Sequence, residues 1–396
     1  MPPYDWIVVG AGLAGTAVSY ELAKAGFSVL LLDQSADPPN ATRCSYAGIA
    51  YWSGKTPLNQ TLCRETKALY PTLADELGQA IEFRELDLLM AIAPDQDPQA
   101  IAPAYADCLD IPHLISAEAA ADLEPLLDQG AIAAALQVKH GHVNPALLVN
   151  AYRQAFLRQG GTWQTGCMTG VVTAPDRDAH ITGITTATDT YSAAHVLIAA
   201  GGWSRPLLKT VGISVPVYFT QAELIETPPL EDIALQTLVM PAVLQRFQME
   251  STAADPTHAP LWDSPAQEVM EPILDIGAVQ FHNGQIRIGQ ISRTSSSLNP
   301  PVDAATSEAK LRATVGHYLP RLAHVPGQWC CCPVAFSGDA LPLVGPVPGT
   351  TGLQLFSGFS NPFVLLPPIA RRFAAAQTGK PDDLLSQMAA ARFAES

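Results

Sequence analysis

The chain has 396 residues, 48% of them apolar and 15% charged, which is enough for two domains with well-filled cores and excludes a disordered polypeptide. Its formal net charge of −15, with no local Lys/Arg cluster to offset it, opposes a phosphodiester backbone and excludes nucleic acid as an expected partner. No stretch reaches the roughly 18 uninterrupted apolar residues of a membrane span. The fold begins at residue 5, ahead of any room for a signal peptide, and seven cysteines without a CxxC pair form neither a disulfide framework nor a zinc site, so a cytoplasmic protein with reduced thiols is expected.

The apolar run Trp6-Ile7-Val8-Val9 leads through Gly10-Ala11-Gly12-Leu13-Ala14-Gly15 into a helix that Gly26 stops. A second run, Val29 to Leu32, ends in Asp33. Strand, glycine turn, helix, strand and acid in this order predict a dinucleotide-binding βαβ unit. Gly10 permits the tight turn, Gly12 lets the backbone approach a pyrophosphate, and Gly15 lets helix and strand pack closely. The helix N-terminus then offers unpaired N–H groups to the phosphates, and Asp33 accepts from ribose hydroxyls while its charge argues against a 2′-phosphate.

The next segment, Thr42-Arg43-Cys44-Ser45-Tyr46-Ala47-Gly48, suits a second pyrophosphate contact through Arg43, with backbone near Gly48 passing close to a flat ring. A helix is predicted from Asn59, restarting at Pro71 and ending at Gly78; strands follow over 81–93, and Ser116 caps another helix. Asn144-Pro145 open a helix that runs to Gly160-Gly161, with short strands around Trp163, Val171 and Ile181. His140 and His142 lack further metal ligands nearby. Val196 to Ala199 reads as a buried strand ending in small residues, where a dinucleotide fold brings another strand end to its ligand.

From Pro216 to Gly327 the pattern is that of an antiparallel sheet, with strands at 217–219 and 244–249 and a hairpin turning at Asn283-Gly284, then a helix from Ala304 to Tyr318. Leu353 to Phe356 is a last strand, and Asn361-Pro362 open a helix whose N-terminus suits developing negative charge. The fold class predicted is α/β: a Rossmann-type nucleotide domain (residues 1–80, 140–215 and 328–396) with an inserted antiparallel-sheet α+β substrate domain (81–139 and 216–327).

Taken together, Gly10-x-Gly12-x-x-Gly15 with Asp33, Arg43-x-Ser45, Asn144-Pro145, Ala200-Gly201-Gly202-Trp203-Ser204, Asn283-Gly284 followed by Ile288-Gly289, Leu341-Pro342-x-x-Gly345 and Gly358-Phe359-Ser360-Asn361 resemble the FAD-dependent D-amino-acid oxidase superfamily, nearest in pattern to its glycine oxidase and monomeric sarcosine oxidase branches. The resemblance covers nearly the whole chain. It implies an FAD enzyme that takes a hydride from the carbon beside an amine nitrogen and delivers it to flavin N5, the imine product then hydrolysing. Its implied partners are a small amine or amino acid and an electron acceptor, oxygen or another. By the same resemblance Gly10 to Gly15, Asp33 and Gln34 hold the ADP half, with Arg43 and Ser45 near the pyrophosphate and Met168 against the adenine. Ala200, Gly201, Gly202 and Trp203 line the ribityl side, and N–H groups of Gly358, Phe359, Ser360 and Asn361 face flavin N1 and O2.

The chain departs from the family where substrate is bound. Glycine oxidase-like enzymes place an arginine at the position of Cys332, before Pro333, and a basic residue at Ser360. An α-amino acid then requires Arg246 or Arg287 to reach the site from the substrate sheet. Arg287 falls where the sarcosine oxidase pattern has a lysine above the flavin and is the leading catalytic candidate, with Tyr51, Trp52 and Tyr218 as an aromatic wall. Cys332 has the spacing of a cysteine that sarcosine oxidase-like enzymes bond to the flavin 8-methyl carbon; the alternative is that Cys330-Cys331-Cys332 are plain, partly buried thiols. A flavin-binding protein without turnover and an NAD-dependent dehydrogenase are the competing readings.

Overall fold

The run Trp6–Val9 pairs in parallel on both sides, with Val29–Leu32 on one flank and His195–Ile198 on the other, and its four side chains are buried on both faces of the sheet. That is why these segments read as continuous apolar runs rather than alternating ones. The computed structural model describes residues 4–36, 40–175 and 177–393. In it Leu353–Ser357 extends the parallel sheet beyond Thr190–Ile198, and Thr162–Thr165 extends it beyond Val29–Asp33. Leu343–Pro346 closes one edge antiparallel, while Met168–Ala174 and Arg177–Thr186 form a hairpin attached to Thr190–Ile198.

Alternate residues of the central strands face two cores. Trp6, Val8 and Leu31 lie under the helices Leu13–Lys24, Pro57–Leu77, Pro145–Arg158 and Pro362–Gln377, and Ile7, Val9, Leu30 and Leu32 lie against the hairpin and Leu208 to Val217. Charged pairs fasten the helices at their rims. Arg371 reaches Glu21 at 3.2 Å and also Glu76, and Arg372 bridges Glu65 and Asp382.

A second sheet runs in the order Gln328–Phe336, Tyr218–Glu226, Ile286–Thr294, Ile273–Gln280, Leu238–Pro241, Arg84–Ile92, Ala134–His142, Gly48–Ile49, with His113–Ser116 paired to Ala134–His142. Its ladders are antiparallel except where Leu238–Pro241 meets Arg84–Ile92. The helix Ala304–Tyr318 packs Leu311 and Val315 against it. Buried Glu124 accepts from the N–H groups of Gln236 (2.8 Å) and Thr237 (2.9 Å), joining the two separated stretches that build this sheet. Strand pairing puts all of Ala134–His142 and Gln328–Phe336 in the second sheet, whereas the sequence reading breaks at 140 and 328. Among the described residues no helix is long and apolar enough to cross a membrane.

Two local expectations are corrected. The helix from Pro57 to Leu77 runs unbroken through Pro71, because its start is set upstream by Pro57 at the first turn and by the Thr56 hydroxyl accepting from Asn59 N–H at 3.2 Å. Residues 246–253 form a helix rather than continuing a strand: the Asp275 carboxylate accepts from the N–H groups of Gln245 (3.1 Å) and Arg246 (3.0 Å) and so caps it from another element.

The crossover itself is set by a close approach. A Cβ on Gly15 would lie 1.7 Å from the Gly10 carbonyl oxygen, whereas one on Gly12 would meet only Thr42 Oγ1 at 3.6 Å. Gly15→Ala is therefore expected to destabilise the cofactor-free protein by about 1–3 kcal/mol, and Gly12→Ala to leave its melting temperature near wild type. Thermal denaturation of the two variants without flavin checks this; equal losses would show that the turn's glycines share one structural role.

Candidate active site

The glycine turn is built from backbone that only glycine adopts freely, held closely by its neighbours. Gly10 has φ of +106°, and a Cβ there would sit 2.6 Å from the Ala199 carbonyl oxygen; its N–H donates to Leu32 at 2.8 Å. The helix Leu13–Lys24 begins at Gly12 with no side chain capping it from that position and no acidic residue in its first turn. Such a start leaves backbone donors and the positive dipole end for a ligand anion. Asp33 accepts from Ala11 N–H at 2.6 Å and Ser35 N–H at 3.3 Å. Burial pushes its carboxyl upward while these N–H groups pull it down, and lone pairs remain for further donors such as ribose hydroxyls.

From this turn a cavity of about 850 Å³ extends past Leu13, Ala14 and Thr42, along Ser45, Gly48 and Gly201, to Gly358–Asn361. A Cβ on Gly48 would come within 2.5 Å of His140 Nε2, so backbone forms the wall there. At the far end Gly358 takes a φ of +78°, and Asn361 starts the helix Pro362–Gln377 without capping it by its side chain. One elongated space thus joins two helix N-termini that lack their own side-chain caps. Those ends and the carboxylate at Asp33 fit FAD, whose phosphates the Gly12 turn would hold and whose negative charge the Asn361 end would face.

The opposite wall comes from the second sheet and its loops. Arg246 is the one arginine in the lining among the described residues, its Nη2 donating to the Ser360 carbonyl at 3.0 Å and its guanidinium 4.8 Å from the Phe247 ring centroid. Asp275, which caps the Arg246 helix, is the one carboxylate there, and burial raises its pKa against the pull of the two N–H groups and Arg246. Around them Leu88, Met90, Ile101, Tyr105, Val243 and Phe247 form an apolar wall. Trp52 Nε1 donates to His140 Nδ1 at 3.0 Å, and burial lowers the His140 pKa to about 3, so this imidazole in the lining stays neutral.

Several residues singled out from the sequence lie elsewhere. Arg287 is not in the lining: its Nε and Nη2 bind Glu226 Oε2 at 3.2 and 3.1 Å, its Nη1 donates to the Ser45 carbonyl, and it stacks 4.6 Å from the Phe281 ring centroid. The Tyr51 hydroxyl is turned to Glu85, and Tyr218 packs with Trp262 under Arg205, so of the expected aromatic wall only Trp52 lines the cavity. Arg43 and Gln34 are exposed, Trp203 is 43% exposed, and Met168 is buried beside Val9 and Leu32; none of them lines the cavity. Ala200 is also outside it, while Gly202 is buried against Pro333. Cys332 and Ser45 are in the lining, together with Cys44, for which the sequence carried no signal.

Chains of known character are similar to this one. Residues 5–376 match the family described as FAD dependent oxidoreductase, DAO. The glycine oxidase of Pseudomonas putida is 26% identical over 387 residues, covering 94% of each chain. The crystal structure of glycine oxidase from Geobacillus kaustophilus superposes with a TM-score of 0.80 at 21% identity, covering 98% of this chain and 99% of that one. L-proline dehydrogenase from P. horikoshii gives 0.79 at 17% identity, over 99% and 98%. The strand, turn and helix at the amino terminus, the cavity they open into and the match over nearly the full length place this chain in the DAO family of FAD-dependent oxidoreductases.

Proposed function

We propose that this protein oxidises the C–N bond of a small amino acid or related amine anion, in the cytoplasm, with oxygen as the electron acceptor. One observation carries the reading: a single cavity runs from the phosphate-binding turn to the Arg246 guanidinium, so cofactor and a carboxylate ligand can meet in it. The relatives named glycine oxidase and L-proline dehydrogenase support amino acids as the class. The seven free thiols suit a reducing compartment.

FAD, when bound, supplies the acceptor for two electrons and the substrate hydrogen. The protein's part is orientation and electrostatics. The loop Gly358–Asn361 and the helix behind it would hold the flavin by their N–H groups and stabilise the negative charge it gains, a fixed dipole needing no reorganisation. Arg246 replaces the arginine missing at Cys332, offering a planar donor fork to the substrate carboxylate from a different element. Asp275 stands at the foot of that helix as the one carboxyl in the lining among the described residues, placed to take the proton an ammonium must lose before its carbon gives up hydride. In this division the first sheet carries the cofactor and the second roofs the reacting face, excluding water with its apolar wall.

Mixing the flavoprotein anaerobically with candidate amino acids and amines tests the activity. A substrate bleaches the visible flavin band, and readmitted oxygen restores it; a flavoprotein that no amine bleaches would overturn the reading. Arg246→Met is expected to raise KM for an amino acid about 10- to 100-fold, the loss of one charge-assisted contact, with a smaller change in kcat and partial recovery in Arg246→Lys. An unchanged KM would remove Arg246 from carboxylate binding. Cys332 is expected to hold no bond to flavin: acid precipitation leaves the yellow colour in the supernatant, and a yellow pellet would show a thioether instead.

A further inference from the structure

Two pieces of chain bring apolar side chains to the cavity beside Arg246. The short helical turns Pro98–Ile101 and Ala102–Tyr105 contribute Ile101 and Tyr105, and the segment that leaves the strand Leu238–Pro241 contributes Val243 and Phe247. The pieces are tied together: the Tyr105 hydroxyl donates to the Ala242 carbonyl, and the Ala242 N–H donates to the Ala91 carbonyl at 2.8 Å. Tyr105 has spent its polar atom on the backbone and offers the space its ring. Lys55, the other cation of the lining among the described residues, donates to the Ala104 carbonyl at 2.8 Å, with its ammonium 5.4 Å from the Tyr105 ring centroid. Around Arg246, then, the wall offers a ligand mainly carbon.

Val243 and Phe247 bracket Arg246 in the chain and are 44% and 42% exposed, two of the five large apolar side chains that stand open to solvent among the described residues. An isolated exposed apolar residue is ordinary on a protein surface. These two instead line one cavity, next to the guanidinium that would take a carboxylate. That guanidinium lies 4.8 Å from the Phe247 ring centroid, so a carboxylate on its fork holds whatever is attached to the α-carbon or the nitrogen within reach of the ring. Glycine ends at its α-carbon and would leave this surface in water; a larger apolar group would cover it.

We propose that the substrate is an amino acid carrying a bulky apolar group, branched or aromatic, which packs against Ile101, Tyr105, Val243 and Phe247 while its carboxylate lies on Arg246. The proposal rests on the amino-acid reading above and narrows it. Arg246 selects the carboxylate, and the four apolar residues select what the carboxylate carries. The group can be the α side chain or an N-substituent, since both leave the same carboxylate on the fork.

The test uses FAD-loaded protein and begins with ligands that cannot be oxidised. From perturbation of the visible flavin band, 3-phenylpropanoate is expected to bind about 10- to 100-fold more tightly than acetate, the difference made by burying one aromatic group. Val243→Ala combined with Phe247→Ala, both at exposed positions that leave the core filled, is expected to shrink that ratio at least about fivefold. Equal Kd values for the two carboxylates, or a ratio that the double variant leaves unchanged, would overturn the proposal. Anaerobic flavin reduction by phenylalanine, N-benzylglycine and glycine then shows which atom bears the group: one of the first two is expected to exceed glycine in kcat/KM at least about tenfold. Glycine reducing the flavin as efficiently as both would overturn the proposal and leave C–N oxidation standing, whereas reduction by no amine at all would overturn the oxidation reading itself.

Discussion

The rest of the structure depends on the approach of the first helix to the turn before it. Because Gly15 has no Cβ, the helix Leu13–Lys24 can start against the Gly10 carbonyl, and Gly12 brings no capping side chain, so that only the Leu13 N–H finds a side-chain partner, Thr42 Oγ1 at 3.3 Å. A helix end left this way is costly unless something external pairs with it. The Pro362–Gln377 helix begins in the same fashion at the other end of the cavity. The fold thus carries its demand for an elongated anionic ligand as two unfinished helix starts, with the parallel sheet fixing their separation.

Charge is distributed to suit that ligand. The chain is strongly acidic overall, yet the cavity lining includes one arginine and one carboxylate among the described residues. Arg246 itself has Glu250 Oε1 3.7 Å from its Nε, and other ionic groups are drawn into closer pairs on the helices and strands around it: Arg371 with Glu21 and Glu76, Arg372 with Glu65 and Asp382, Arg287 with Glu226. These pairs remove cations that a sequence reader would offer to a substrate. Arg287 shows the effect most clearly, its fork already taken by a carboxylate and two backbone and aromatic neighbours.

What the sequence made legible was whatever depends on local backbone chemistry. The glycine turn with Asp33, the Asn144-Pro145 and Asn361-Pro362 helix starts, and the hairpin at Asn283-Gly284 each need particular residues at particular steps, and the structure has all of them. Side-chain direction was not legible. Tyr51 and Tyr218 are in the right neighbourhood but point to Glu85 and to Trp262, choices made by residues 34 and 44 positions away. The helix carrying Arg246 was hidden because its cap, Asp275, comes from a strand of the second sheet, so no local signal announces it.

The central claim is that this polypeptide wraps one FAD along the cavity between the two helix starts. Its most direct measurement is the visible spectrum and released flavin of the purified protein, after reconstitution where needed. The account predicts one FAD per chain, released as the dinucleotide, with Gly12→Ala weakening its retention. Protein that is colourless and takes up no FAD, or that binds only a mononucleotide, would contradict it.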